Sequence, residues 1–195
     1  MGTPSLSGKR GRPRADDGRG RCAGPRDHLL WHARFGAAPR YGTARCAATV
    51  GEELADPGAK AGIKDHLLET GIAEQVPLDL YGLITALPAE TPRLPWDGPE
   101  VRIIEHRAHA PGHAALFVEE LGVLVAGDML SDVLIPMLDL NGAADPIEDY
   151  LAALRLLEDV AGDVEVVVPG HGSVGGADDL HNGQAQRLAE RDLRG

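Results

Sequence analysis

The clearest pattern of apolar and polar positions begins at residue 101 and runs through the second half of the chain. Residues 101–104 (VRII) predict one strand, and the stretch AALFVEELGVLVAGD predicts two strands, at 115–118 and 123–126, joined by a tight turn. VEVVVPGHG predicts a further buried strand over 164–168. These four short apolar runs favour a sheet.

Two segments have the period of a helix. AKAGIKDHLLETG places Ile63, Leu67 and Leu68 on one face, and Gly71 suits its C-terminal cap. ADPIEDYLAALRLLEDVAGD predicts a capped helix, with Asp145 as N-cap, Pro146 at the first position, Glu148 at the third, and its end near Gly162. Its expected apolar face is Ile147, Tyr150, Leu151, Leu154 and Leu157. Helices mixed with strands indicate an α/β fold.

The N-terminal segment differs from the rest of the chain in amino-acid composition and in charge. Residues 1–26 are rich in Arg, Gly and Pro and show no helix or strand period, so we expect a disordered basic tail before a domain over 27–195. Residues 1–45 hold ten Lys/Arg against three Asp/Glu, and the rest hold nine against twenty-seven, giving +7 and −18. The acidic part is not expected to bind nucleic acid.

The composition indicates in which cellular compartment the protein is expected. Two cysteines, Cys22 and Cys46, supply neither a disulfide framework nor a thiolate metal site, which fits a reducing compartment. No apolar run approaches membrane-spanning length, and the start of the chain lacks the apolar region of a signal peptide. We therefore expect a cytoplasmic protein with no membrane partner.

Three polar residues share a position beside glycine at a strand end: His113, Asp128 and His171. A carboxylate at the exit of a buried strand is costly unless a positive group holds it. Imidazoles and a carboxylate are ligands that suit zinc, and a metal ion would supply that charge. Each residue alone is more simply a structural loop residue, but the three together favour a metal site.

The stretches HAPGH (109–113), VAGD (125–128) and VVPGHG (167–172) resemble motifs of the metallo-β-lactamase superfamily. The resemblance implies an αββα sandwich with the metal site on the rim between its two sheets. It also implies that His113 binds a first metal ion, that Asp128 bridges two ions, and that His171 binds the second. The resemblance is close over about residues 100–175 and looser back to residue 41.

The family's His-x-His-x-Asp-His signature is absent, and so are the strands before it, so the N-terminal part of the fold is expected to be incomplete. In the nearest register only Asp27 and His28 survive. With Asp128 and His171 they would complete the second metal position, whereas the first would keep only His113 and Asp128. The Asp27-His28 pair is equally well explained as an accidental dipeptide. His32, His106 and His109 are candidate replacements for the missing histidine ligands of the signature. Of these, His106 and His109 are expected to have structural roles.

The resemblance implies a zinc-dependent hydrolase, holding one or two divalent ions, that acts on a small ester, thioester, lactone or lactam. Zinc lowers the pKa of water and polarises a carbonyl, and Asp27 is the candidate catalytic residue that orients the nucleophile and carries its proton. An apolar part of the substrate would lie under residues 76–97. The apolar side chains of this segment that could contact the substrate are Leu78, Leu80, Tyr81, Leu83 and Trp96.

Two other functions fit parts of the chain. The abrupt change in charge and composition before residue 40 also fits a non-catalytic remnant of the same fold. Arg10-Gly11-Arg12-Pro13 is similar to an AT-hook, which binds the minor groove of AT-rich DNA, but one copy of so short a motif is weak support.

The missing N-terminal strands have a consequence for assembly. A sandwich needs two sheets that cover each other's apolar faces, and residues 1–26 can build little of the second sheet. An uncovered sheet face and an unpaired edge strand both favour association. We therefore expect a marginally stable chain that forms a homodimer through the uncovered sheet, aggregates, or requires a partner.

Overall fold

The computed structural model describes residues 29–133, 138–140, 142–176 and 178, so the predicted tail over 1–26 lies outside the described residues. A small parallel sheet and two helices come first in the chain. The strand β1 (Tyr41–Gly42) leads to the helices α1 (Ala44–Ala55) and α2 (Pro57–Glu69), after which β2 (Thr85–Ala86) pairs with β1.

Side-chain caps explain where the two helices begin. The Thr43 hydroxyl accepts a hydrogen bond from the backbone N–H of Cys46 at the start of α1. Asp56 caps α2 in the same way, with Pro57 at the first helical position. The predicted helix around Ile63 is thus confirmed as α2. None of the helices in the described part is long and apolar enough to cross a bilayer.

The four predicted strands form one sheet. They are β3 (Val101–His106), β4 (His113–Val118), β5 (Val123–Ser131) and β6 (Val166–His171), in the spatial order β3-β4-β5-β6. The first two neighbouring pairs are antiparallel, and β6 runs parallel to β5. The start of β4 and the ends of β5 and β6 therefore lie at the same edge of the sheet.

The main core lies between this sheet and the helix α3 (Pro146–Glu158). Asp145 caps the helix by accepting a hydrogen bond from the Glu148 backbone N–H at 3.0 Å. Alternate residues of each strand point toward α3, as the two-residue period of a strand requires. Buried members of this core are Ile104, Phe117, Leu124, Val167, Tyr150, Leu154 and Leu157.

Three details of the helix predictions are wrong. Helix α3 ends at Glu158, and Gly162 lies in a separate 3-10 turn at Ala161–Asp163. Ile147, expected on the apolar face, is 49% exposed because it lies in the first turn of α3. Leu68 is 58% exposed, while its neighbour Leu67 and Ile63 are buried against Tyr81.

Each edge of the large sheet is partly paired by a neighbouring segment of the chain. Residues 92–94 run along β3, where the Leu94 N–H donates to Val101 and the Ile103 N–H donates to Pro92. Val167 of β6 exchanges two hydrogen bonds with Gly175. The sheet face opposite α3 carries half-buried apolar residues such as Leu116 and Val125. Association through that face stays a prediction.

The Tyr150 hydroxyl gives a test of this packing. It is buried and has no hydrogen-bond partner among the described residues, and burial raises the pKa of Tyr150 to about 12. We expect Tyr150→Phe to raise the free energy of unfolding by about 1 kcal/mol, because an unsatisfied buried hydroxyl is removed. The matched change Tyr81→Phe should lower it by about 1 kcal/mol, since the Tyr81 hydroxyl donates to Glu53 at 3.2 Å.

Urea denaturation of the two variants at pH 7 measures both values. A destabilised Tyr150→Phe would contradict the assignment of an unsatisfied hydroxyl.

The raised pKa of Tyr150 also fixes the direction in which the free energy of unfolding changes with pH. Since the pKa is raised in the folded chain above its ordinary value of 10.0, the unfolded chain ionises first and stability falls as pH rises from 10 toward about 12. The advantage of Tyr150→Phe should therefore grow over that window.

Candidate metal centre at the strand ends

Asp128 lies where β5 and β6 approach each other most closely. The pairing of the two strands shifts register between Val125 and Gly127, and Gly127 has a φ of +57°. A Cβ atom on Gly170 would contact the Asp128 carboxylate and lie 3.0 Å from the Asp128 backbone nitrogen. Glycine at position 170 therefore makes the room that the carboxylate occupies.

Two histidines face the two oxygens of this carboxylate. His109 Nε2 lies 3.1 Å from Asp128 Oδ2, and His171 Nε2 lies 3.6 Å from Asp128 Oδ1. The side chains of His109 and Asp128 are 3% and 10% exposed, whereas that of His171 is 43% exposed. Asp128 thus lies between a buried imidazole and one that is open to solvent.

Two more histidines lie beside His109. His113 Nδ1 is 3.0 Å from His106 Nε2, and the His113 ring stands edge-on to that of His109 at 5.3 Å between centroids. Burial, with a smaller contribution from His109, lowers the pKa of His106 to about 4. His106 is therefore neutral at neutral pH and can share a proton with His113 in a hydrogen bond.

The structure brings two of the sequence-predicted ligands together, Asp128 and His171. The imidazole that faces the other oxygen of Asp128 is His109, which the sequence analysis treats as structural. The His113 ring lies against Gly127, and its role as a metal ligand stays a prediction. Asp27 and His28 lie outside the described residues, so their roles stay predictions.

The turn between β3 and β4 explains why His109 and His113 differ. Gly112 has a φ of +74° and reverses the chain, and the Gly112 carbonyl accepts a hydrogen bond from the buried Thr43 hydroxyl at 2.8 Å. His109 therefore reaches Asp128 from the turn, while His113 already belongs to β4. Both histidines flank the same Pro-Gly pair, and nothing in the sequence separates them.

Asp132 is a positioning residue that the sequence reasoning missed. Its carboxylate accepts a hydrogen bond from the Ser173 backbone N–H at 2.9 Å, and this bond lowers the pKa of Asp132. A Cβ on Gly172, whose φ is +107°, would contact the same carboxylate. Asp132 thus fixes the loop that directly follows His171, and the only signal in the sequence was the Gly-His-Gly stretch itself.

The donor set fits a metal ion such as zinc in type and spacing. Two ligands of a tetrahedral zinc at its usual bond lengths are about 3.4 Å apart, close to the 3.1 Å and 3.6 Å found here. Within the described residues, no group of three or more His, Cys, Asp or Glu side chains converges on one point. Each carboxylate oxygen faces a single imidazole, so the described residues provide two half-sites that share Asp128.

A cavity of about 490 Å³ adjoins this centre. It lies between the β1–β2 sheet and the large sheet face opposite α3, and its lining includes Gly112, His113 and Gly127. Of the predicted cover residues, Leu80 and Leu83 line it. Tyr81 and Leu78 belong to the core around α2, and Trp96 lines a separate surface hollow.

Comparison with known proteins bears on the family and the fold of the chain. A family model described as the metallo-beta-lactamase superfamily matches residues 27–171. A metallo-beta-lactamase family protein from Thermus thermophilus is similar in structure, with 25% identity and a TM-score of 0.52 over 85% of this chain and 52% of that one. A beta-lactamase domain protein from Burkholderia ambifaria has 23% identity and a TM-score of 0.55 over 80% of this chain and 48% of that one.

The chain thus spans about half the length of these two proteins. No curated protein matched it in sequence. The mixed arrangement of helices and sheets agrees with the predicted α/β fold of the metallo-β-lactamase type. Since the family model covers well over half of the residues, the chain belongs to the metallo-beta-lactamase superfamily.

Proposed function

We propose that this protein is a zinc-dependent hydrolase that acts on a small ester, thioester, lactone or lactam. One observation supports the proposal above all others. His109 and His171 approach the two oxygens of the Asp128 carboxylate, at 3.1 Å and 3.6 Å, in the second half of β5. Membership of a superfamily that generally contains hydrolases supports the reaction class.

The two half-sites are unequal in this proposal. His171 and one oxygen of Asp128 form one half-site, and Asp27 and His28 would complete it. His109 and the other oxygen form the second, to which His113 is the nearest further imidazole. Because the second half-site has fewer candidate ligands, we expect it to hold its ion weakly.

The residues of the chain have separable roles. Asp128 holds the imidazoles of His109 and His171 in place. The neutral His106 holds His113 in place through a hydrogen bond. Zinc at this centre would act as a Lewis acid on the substrate carbonyl and make water more acidic. Asp27 is proposed to orient the water and to carry its proton to the leaving group.

The non-catalytic remnant is the second candidate. The observation that favours it is the absence from this sequence of the His-x-His-x-Asp-His signature, of which only Asp27 and His28 survive. It differs from the enzyme in one property that can be measured, since a remnant would fold without binding zinc. The AT-hook-like stretch at 10–13 lies outside the described residues, and no contact in the structure bears on it.

Zinc content tests the proposed centre. We expect purified protein, stripped with a chelator and reloaded, to bind zinc and to hydrolyse p-nitrophenyl acetate only when loaded. His171→Ala and Asp128→Ala should each weaken zinc binding on the order of 100-fold or more, because a ligand is lost. His109→Ala should weaken it more than His113→Ala does. Elemental analysis and zinc titration measure these values.

His66→Ala is the matched control, because His66 is an exposed histidine on α2, away from the centre. Far-UV circular dichroism establishes that each variant is folded. Unchanged zinc content in both His171→Ala and Asp128→Ala would overturn the assignment. A folded wild-type chain that takes up no zinc would favour the remnant.

Gly170→Ala tests the close approach of β5 and β6 without touching a ligand. A methyl group at this position would displace the Asp128 carboxylate, so zinc binding should weaken roughly 10- to 100-fold, as when a group supporting a ligand is lost. Gly162→Ala is the control, since nothing lies within 4 Å of its added methyl group. Equal zinc affinity of the two variants would show that this contact does not position Asp128.

A further inference from the structure

The cavity between the two sheets is apolar along its length. Ile103, Leu116 and Val125 of the large sheet form one wall, and Leu83, Ile84 and Leu87 form the other. Its volume of about 490 Å³ is in the range of small-molecule sites. Such walls favour an apolar ligand, because its burial releases water from both surfaces.

The lining of the cavity includes a cation, Arg40. Arg40 lines the cavity and is half-buried, and its guanidinium lies 5.0 Å from the centre of the Trp31 ring. Two of its N–H groups donate to the carbonyls of Leu80 and Gly36, at 3.3 Å and 3.2 Å. No carboxylate of the described residues forms an ion pair with Arg40, and the contacts that the structure gives its guanidinium are with neutral groups.

A guanidinium has five N–H donors, and it binds carboxylates through two of them at once. Donors therefore remain on Arg40 for an anion in the cavity. An anionic group there would also balance a charge that is partly withdrawn from water.

The distance between Arg40 and the surroundings of His113 follows from the chain. β1 connects Arg40 to Thr43, and the Thr43 hydroxyl binds the Gly112 carbonyl next to His113. Three residues of extended chain span roughly 10 Å. The backbone of Arg40 and the Thr43–Gly112 contact beside His113 are thus separated by about the length of a medium-sized acyl chain.

We propose that this cavity binds an apolar chain that ends in a carboxylate, with the carboxylate at Arg40 and the chain running along β1 toward His113 and Gly127. Combined with the proposed hydrolase function, on which this part rests, the substrate is an ester or thioester whose acyl arm ends in a carboxylate. Water adds to the acyl carbon, the bond from that carbon to oxygen or sulfur breaks, and the alcohol or thiol leaves with a proton. A dicarboxylic acid remains.

Monomethyl suberate is a suitable probe, and dimethyl suberate is its uncharged counterpart. Calorimetric titration of the metal-free full-length chain separates binding from hydrolysis. We expect the monoester to bind at least about 10-fold more tightly than the diester, because hydrogen bonds to a charged group are the stronger ones. In a Trp96→Phe background, the remaining Trp31 at the cavity wall should change its fluorescence as the monoester binds.

Arg40→Gln should reduce affinity for the monoester about 10-fold or more and leave the diester unchanged. Arg34→Gln removes an equal charge from an exposed position that does not line the cavity, and it should have no effect. Ala114→Leu, which narrows the cavity, should weaken both probes. Arg40→Lys keeps the positive charge and replaces Arg40→Gln in the test if that variant does not fold. It should retain part of the preference for the monoester over the diester.

Equal affinity for the two probes, or monoester binding that Arg40→Gln leaves unchanged, would overturn the cavity proposal. The outcomes for the two proposals can be told apart. Zinc-dependent hydrolysis of p-nitrophenyl acetate without monoester binding rejects the cavity proposal alone. Monoester binding in a chain that binds no zinc rejects the hydrolase alone.

Discussion

The buried carboxylate of Asp128 is the group on which the arrangement of the site depends. An ionised carboxylate withdrawn from water is costly unless positive or hydrogen-bonding groups surround it. Here the polar partners come from the β3–β4 turn and from the end of β6, on either side of β5. Because β4 runs antiparallel to β5 and β6 runs parallel to it, both partners reach the edge where β5 delivers Asp128.

Glycines make this convergence sterically possible. Gly170 gives the carboxylate its space, Gly127 gives the His113 ring a surface to pack on, and Gly172 leaves room for Asp132. Each would contact a side chain of the site if it carried a Cβ. The metal centre is therefore built from backbone that passes very close to side chains. A methyl group at such a position disturbs the site more than it disturbs the core beside α3.

The sequence predicted most of the large sheet and its covering helix, since strand alternation and the Asp145 cap are local signals. It missed β1 and β2, because strands of two residues have no period to detect, and it missed α1, which buries Val50 alone. In the site, Asp128 and His171 could be found because each follows a clear strand. The contact between His109 and Asp128 could not be found, because it depends on the turn at Gly112 and on the hydrogen bond to Gly112 from Thr43, sixty-nine residues away.

The cavity and the site have a common origin in the unequal size of the two sheets. A sheet of two short strands faces one of four longer strands, and residues of both sheets line the cavity. Apolar cavity walls and a half-buried Arg40 that forms no ion pair within the described part of the chain both reduce the stability of the fold. A ligand that fills the cavity and neutralises Arg40 would restore that stability in proportion to its affinity. The features that make the fold look incomplete are thus the ones that a bound acyl carboxylate would satisfy.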